Sequence, residues 1–147
     1  VHYGKHIALE GTVHPADKMW VQPIMEDPDK LGEILKGLVN EIGMRVLAGP
    51  CGKYEKCNEL LDRGASSIIL LYESHAAIHC YPYRLRFFVD VFSCKDYPTS
   101  KVLGYLRVKL RMHGYELTEA KRGKDWRRMP DVSDVRKKNN EDLNNSI

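Results

Sequence analysis

No stretch of this chain approaches the roughly 20 consecutive apolar residues that a membrane-crossing helix needs. The opening Val1-His2-Tyr3-Gly4-Lys5 also lacks the charged-then-apolar layout of a secretory signal. A cytoplasmic protein with no membrane partner is the expectation. The four cysteines, Cys51, Cys57, Cys80 and Cys94, form no CxxC pair, so in a reducing compartment they read as free thiols and not as bridges. A dominant charge is missing as well: 23 Lys and Arg against 20 Asp and Glu leave a formal net charge of +3. That balance argues against a nucleic-acid partner and, with an ordinary apolar fraction, against disorder in the body of the chain.

What is present fits one domain of 147 residues with a core of ordinary size. Lys5 to Leu9 reads as a first strand, and His14-Pro15 and Gln22-Pro23 mark a loop after it. Asp27 then caps a helix with Pro28 at its first position. Leu31, Ile34, Leu35, Leu38, Val39 and Ile42 recur there at three- and four-residue spacing until Gly43. Met44 to Ala48 predicts a second strand, broken by Gly49-Pro50-Cys51-Gly52, and Cys57 to Gly64 a helical turn or a loop. Residues 67–73, 76–81 and 86–92 read as an antiparallel meander. On its last strand Phe88, Asp90, Phe92 and Cys94 share one face and Phe87, Val89, Val91 and Ser93 the other, which predicts a central strand covered on both sides. A second helix is expected from Thr99 or Ser100 to His113, with Val102, Leu103, Leu106 and Leu110 as its stripe and Gly114 as its stop. Tyr115 to Thr118 adds an edge strand.

These elements predict an α+β fold, a two-layer sandwich in which an antiparallel β-sheet carries two helices on one face. The open sheet face needs a cover, and a second copy of the chain is the simplest one, so a homodimer is expected. Residues 1–118 form the domain. Residues 119–147 read as a charged tail that cannot bury enough surface to offset its ordering entropy.

The apolar run Ile68-Ile69-Leu70-Leu71-Tyr72 ends in Glu73-Ser74-His75, and His79 follows the serine by five residues. A serine at the edge of a buried strand with two imidazoles nearby is a nucleophile with candidate bases. One reaction open to it is a cut of its own chain. Ser74 Oγ attacks the carbonyl carbon of Glu73, an intramolecular step in which orientation replaces collision. A donor must stabilise the oxyanion, and a base must remove the Ser74 Cα proton so that the resulting ester is eliminated. Hydrolysis of what remains gives a pyruvoyl group, whose ketone condenses with a substrate amine and takes up the electrons released as CO2 departs. That chemistry requires no metal and no diffusible cofactor, and it expects amines bearing an α-carboxylate.

Three segments carry a resemblance to a family. Gly4-Lys-His-Ile-Ala-Leu-Glu10, Glu73-Ser-His-Ala-Ala-Ile-His79 and Val89-Asp-Val-Phe-Ser-Cys94, with twenty residues between Ser74 and Cys94, resemble the S-adenosylmethionine decarboxylases of the small prokaryotic type. The resemblance spans roughly residues 4 to 112. It implies that Ser74 is the precursor of a pyruvoyl cofactor and Glu73 the new C-terminus left by the cut. It implies further that Ser66, eight residues before Ser74, assists processing, and that His79 helps ester formation and elimination. Cys94 is implied as the thiol that reprotonates the product carbon. Glu10 matches an acidic position of the first strand and is a candidate substrate-binding residue.

The chain departs from the family after the processing histidine, where Cys80-Tyr81-Pro82-Tyr83 stands for the usual Thr-Trp-Pro-Glu. Tyr83 therefore occupies the position of a carboxylate suited to ribose hydroxyls, and one phenolic oxygen cannot reproduce a bidentate acceptor. Leu60 or Leu61 likewise stands where the family offers an aromatic to stack on adenine, with Tyr54 as a substitute if the loop folds back. Three readings follow: a self-processing decarboxylase of S-adenosylmethionine serving polyamine synthesis, a pyruvoyl-dependent decarboxylase of a free amino acid such as ornithine or arginine, or an uncleaved, non-catalytic homologue acting as a partner protein.

Overall fold

The computed structural model describes residues 4–123. Its elements in chain order are β1 (Gly4–Val13), α1 (Lys18–Met25), α2 (Pro28–Glu41), β2 (Val46–Glu55), β3 (Gly64–Leu71), β4 (Ser74–Tyr81), β5 (Arg86–Ser93), α3 (Thr99–Leu110) and β6 (Met112–Arg122). Single 3-10 turns lie at Pro15–Asp17, Leu60–Asp62 and Pro82–Arg84. The strands form one sheet in the order β2-β3-β4-β5-β1-β6, with every neighbouring pair antiparallel. The α+β sandwich is as expected, with a third helix added. No helix among the described residues is long and apolar enough to cross a membrane.

The capped helix forms for the reasons its sequence gives. Asp27 Oδ1 accepts hydrogen bonds from the backbone N–H groups of Asp29 (2.9 Å) and Lys30 (3.3 Å), covering donors that the first turn leaves unpaired. Its stripe from Leu31 to Ile42 is buried. That stripe packs on the alternate residues Ala65, Ile69 and Leu71 of β3 and Ile78 of β4, in one core that also takes in Phe87, Val89 and Val91 of β5.

Four expectations are corrected. The loop marked by Gln22-Pro23 is α1, with Pro23 inside it; Val21 and Met25, one turn apart, are both fully buried, and that burial outweighs the lost backbone donor. The second strand does not break at Gly49-Pro50 but runs to Glu55 through register shifts on either side of Ala48. It is an edge strand, where proline and bulges are tolerated. The last helix stops at Leu110, not His113, because Arg111 takes the left-handed conformation (φ +49°) and closes it without glycine. An ion pair to Asp17 (2.9 Å) and stacking over Trp20 (4.2 Å) hold Arg111 there. Finally, β6 continues past Thr118 to Arg122, pairing Glu119 with Ile7 and Lys121 with Lys5. The rest of the tail from Lys124 lies outside the described residues.

Strand β5 is central, as read, but within the chain it is covered on one side and not on both: Phe87, Val89, Val91 and Ser93 are buried under the helices, while Phe88 on the other face is exposed. Its other face belongs to a broad open surface crossed by straight rungs. One rung reads Leu70, His75, Phe92, His6, Ala120 from β3 to β6. The next reads Cys51, Ile68, Ala77, Asp90, Ala8, Thr118, and the third Lys53, Ser66, His79, Phe88, Glu10, Glu116. Ile68, Leu70 and Phe88 are 47%, 48% and 39% exposed, so this chain alone leaves apolar surface in water.

Candidate active site

Strands β3 and β4 are joined by a two-residue hairpin, because Leu71 pairs directly with Ser74. The loop is Tyr72-Glu73, and Glu73 has φ +68°. Two-residue hairpins favour turns with positive φ at the first or at both central positions, usually with Gly or Asn. Here only the second is positive, and it is glutamate, a conformation that costs an L-residue about 1–2 kcal/mol. Strain thus sits at the residue whose carbonyl precedes Ser74.

Ser74 opens β4 opposite Ser93 of β5. Its Oγ accepts a hydrogen bond from the backbone N–H of Cys94 at 3.3 Å. The twenty-residue spacing thus becomes direct contact, since the β4–β5 hairpin returns the chain to its starting point. Cys94 also lines a hollow of about 260 Å³ with Gly4, Phe92, Arg122 and Gly123.

Ser66 and His79 form a cross-strand pair on the open face, with Ser66 Oγ 2.8 Å from His79 Nδ1. They line a second hollow of about 320 Å³ with Cys51, Lys53, Ile68 and Ala77 among others. This dyad does not meet Ser74 within the chain. Five strand residues at about 3.4 Å each put His79 about 17 Å from Ser74, and an odd separation puts the two side chains on opposite faces. The structure therefore brings together Glu73, Ser74 and Cys94 at one end of β4, and Ser66 with His79 at the other.

The remaining candidates are also engaged. Glu10 ion-pairs with Arg86 at 2.7 Å on the open face. Tyr83 lies against α1, where Gln22 Nε2 donates to its phenolic oxygen at 3.4 Å and Lys18 Nζ sits 5.8 Å from the ring centroid. Its phenol pKa is raised, first by the hydrogen bond to the Glu26 carboxylate. Leu60 and Leu61 are about half exposed in their 3-10 turn, while Tyr54 packs against the core. The four cysteines are free thiols, with Cys80 buried in the core.

Beside Ser74, His75 is 5.7 Å from Phe92 and 6.5 Å from His6 between ring centroids. Burial, then the His6 and Arg122 charges, hold the His75 pKa below its usual value. Arg122 stacks over Phe92 at 4.4 Å from the ring centroid. Sequence reasoning assigned Arg122 to the tail, and nothing in the charged Glu119-Ala120-Lys121-Arg122 marks a strand; only its pairing with β1 does.

A sequence model of the S-adenosylmethionine decarboxylase family matches residues 17–123. The S-adenosylmethionine decarboxylase proenzyme of Clostridium botulinum (strain Langeland / NCTC 10281 / Type F) is 28% identical over 101 residues, covering 68% of this chain and 82% of that protein. The proenzyme of the same name from Thermosipho africanus (strain TCF52B) is 27% identical over 122 residues, covering 82% and 85%. The crystal structure of the adenosylmethionine decarboxylase from Aquifex aeolicus VF5 matches with a TM-score of 0.61 at 23% identity, over 82% of this chain and 91% of that one. That structural likeness speaks for the fold.

Proposed function

The chain belongs to the S-adenosylmethionine decarboxylase family, and from that premise we propose that it cuts itself between Glu73 and Ser74 and decarboxylates S-adenosylmethionine. The product would be the aminopropyl donor for spermidine synthesis, made by a cytoplasmic homodimer. The observation that carries this reading is the hairpin: a left-handed Glu73 (φ +68°) immediately before a serine whose Oγ is tethered to the Cys94 N–H. Strain at the scissile residue is relieved when the chain is cut.

A pyruvoyl group has to be made from this chain's own residue, and Ser74 at the mouth of the hairpin fits that requirement. Ser74 Oγ bonds to the Glu73 carbonyl carbon as the Glu73–Ser74 peptide bond breaks, and its proton passes to the departing nitrogen. His79, with Ser66 holding its Nδ1 side at 2.8 Å, then takes the Ser74 Cα proton so that the ester is eliminated. Once formed, the pyruvoyl group supplies the electron sink for loss of CO2. Cys94 gives a proton to the substrate carbon that lost CO2.

His79 and Ser74 of one chain are about 17 Å apart along the strand, so the base comes from a second copy. A two-fold axis near Ala77 and Asp90, in the middle rung of the open face, exchanges the His75–Phe92 rung with the Ser66–His79 rung. Each copy's dyad then lies over the other's His75–Phe92 rung, one residue from the Ser74 Cα proton it would take, and the exposed Ile68, Leu70 and Phe88 are covered in the same step.

The test is a denaturing intact-mass spectrum of the wild-type protein, followed by CO2 release from a substrate panel. Two fragments split at Glu73-Ser74, with release from S-adenosylmethionine, support the reading. A single full-length mass favours the uncleaved partner protein instead. The second substrate reading, a free amino acid such as ornithine or arginine, is favoured by Tyr83, whose phenolic oxygen already accepts from Gln22 and lies beside Glu26. Release from the amino acid alone would select it.

A further inference from the structure

We infer that Arg122 determines specificity at this site by receiving the α-carboxylate of the substrate in the hollow it shares with Cys94. The inference rests on the decarboxylase reading above and deepens it. Arg122 is held by stacking on Phe92 at 4.4 Å, which uses the face of the guanidinium and leaves its in-plane donors free. Among the described residues it makes no ion pair. Other cations at this end of the sheet are committed: Lys5 Nζ donates to the Tyr97 carbonyl at 2.7 Å and faces Glu119, and Lys95 Nζ donates to the Gly43 carbonyl at 3.1 Å.

The walls of the hollow are small where a ligand would enter. Gly4 and Gly123 contribute no side chain, and a Cβ at Gly4 would collide with the Phe92 ring. About 260 Å³ suffices for the amino-carboxylate head of a substrate, and a planar guanidinium matches a carboxylate with two parallel hydrogen bonds. The chemistry gives the placement a purpose. A carboxylate docked on Arg122 leaves as CO2 from the side on which the Cys94 thiol stands, so the carbon to be protonated is left facing its proton donor. The Cys94 N–H to Ser74 Oγ contact ties that corner to residue 74.

The experiment compares Arg122→Gln and Arg122→Lys with wild type, using the substrate that wild type decarboxylates and its decarboxylated product as a competitive inhibitor. Intact mass reports self-cleavage and hence folding of each variant. The expected result for Arg122→Gln is a KM raised about 10- to 100-fold for the carboxylated substrate, with the product inhibition constant shifted less than about twofold, because the product has no carboxylate to lose. Arg122→Lys keeps the charge without the fork and falls between. Equal weakening of substrate and product, or no weakening of either, overturns the role of Arg122 while leaving the decarboxylase reading intact. A wild type that stays uncleaved, or that releases no CO2, overturns both together.

Discussion

Co-expression of a Ser74→Ala chain with a His79→Ala chain separates a shared site from a self-contained one. On the proposed reading, each variant alone lacks one half of the cleavage machinery. Loss of the base is expected to slow processing by about 10²- to 10⁴-fold, and loss of the Ser74 hydroxyl abolishes it. In a mixed dimer with sites shared across the two-fold axis, the Ser74 of the His79→Ala chain meets the intact Ser66–His79 pair of its partner. That one site is complete and the other is doubly defective. Random pairing makes about half of the dimers mixed, each with one of two sites intact, so about one quarter of wild-type sites should form. Differently tagged chains allow the mixed dimer to be isolated, and intact mass should find the His79→Ala chain cut and the Ser74→Ala chain whole. An isolated mixed dimer with both chains uncut would refute the shared site. It would require His79 to reach its own Ser74 across about 17 Å.

Other perturbations test single parts. Cys94→Ala should still be cleaved but lose about 100-fold or more in turnover; ordinary turnover would remove the thiol from proton return. Glu73→Gly relieves the left-handed strain at φ +68°, and if about 1 kcal/mol of it speeds cleavage, the variant should process about fivefold more slowly, read as the rate of fragment appearance. Gly64→Ala places a Cβ against the backbone carbonyl of Cys80, so thermal or denaturant unfolding should show a loss of about 1–3 kcal/mol. His75 is held below its usual pKa by burial and by the His6 and Arg122 charges. Its folded form therefore disfavours the proton, and its contribution to stability is complete above the unfolded value of about 6.5 and lost as pH falls through the lowered folded value. In a Ser74→Ala background the melting temperature should fall with acid below about pH 6.5, less so in His75→Gln; identical pH profiles would refute the assignment.

Much of the fold was legible because its causes are local. Asp27, Pro28 and the stripe from Leu31 to Ile42 specify α2 through a cap and a period, and both are properties of adjacent residues. The meander was equally readable from its β-rich runs. The misread segments are those where a partner decides. Pro23 sits in α1 because Val21 and Met25 reach the core, β2 runs through Gly49-Pro50 because it lies at an edge, and Arg111 ends α3 because Asp17 and Trp20 hold its side chain. None of these partners is a sequence neighbour.

The sequence by itself determined the chemistry on offer: a serine after a glutamate, a histidine five residues on, a thiol twenty residues on, and a second serine eight residues back. The family resemblance joined Ser74 to Cys94, and the β4–β5 hairpin delivers that contact at 3.3 Å. Only the tertiary structure decided that Ser66 and His79 form a separate pair, that Arg122 belongs beside Cys94, and that the face carrying the dyad is left open. The physical reason is the pleat of the strand. Side chains alternate between faces and advance about 3.4 Å per residue, so whether residues five apart cooperate depends on which face each takes and on what covers that face.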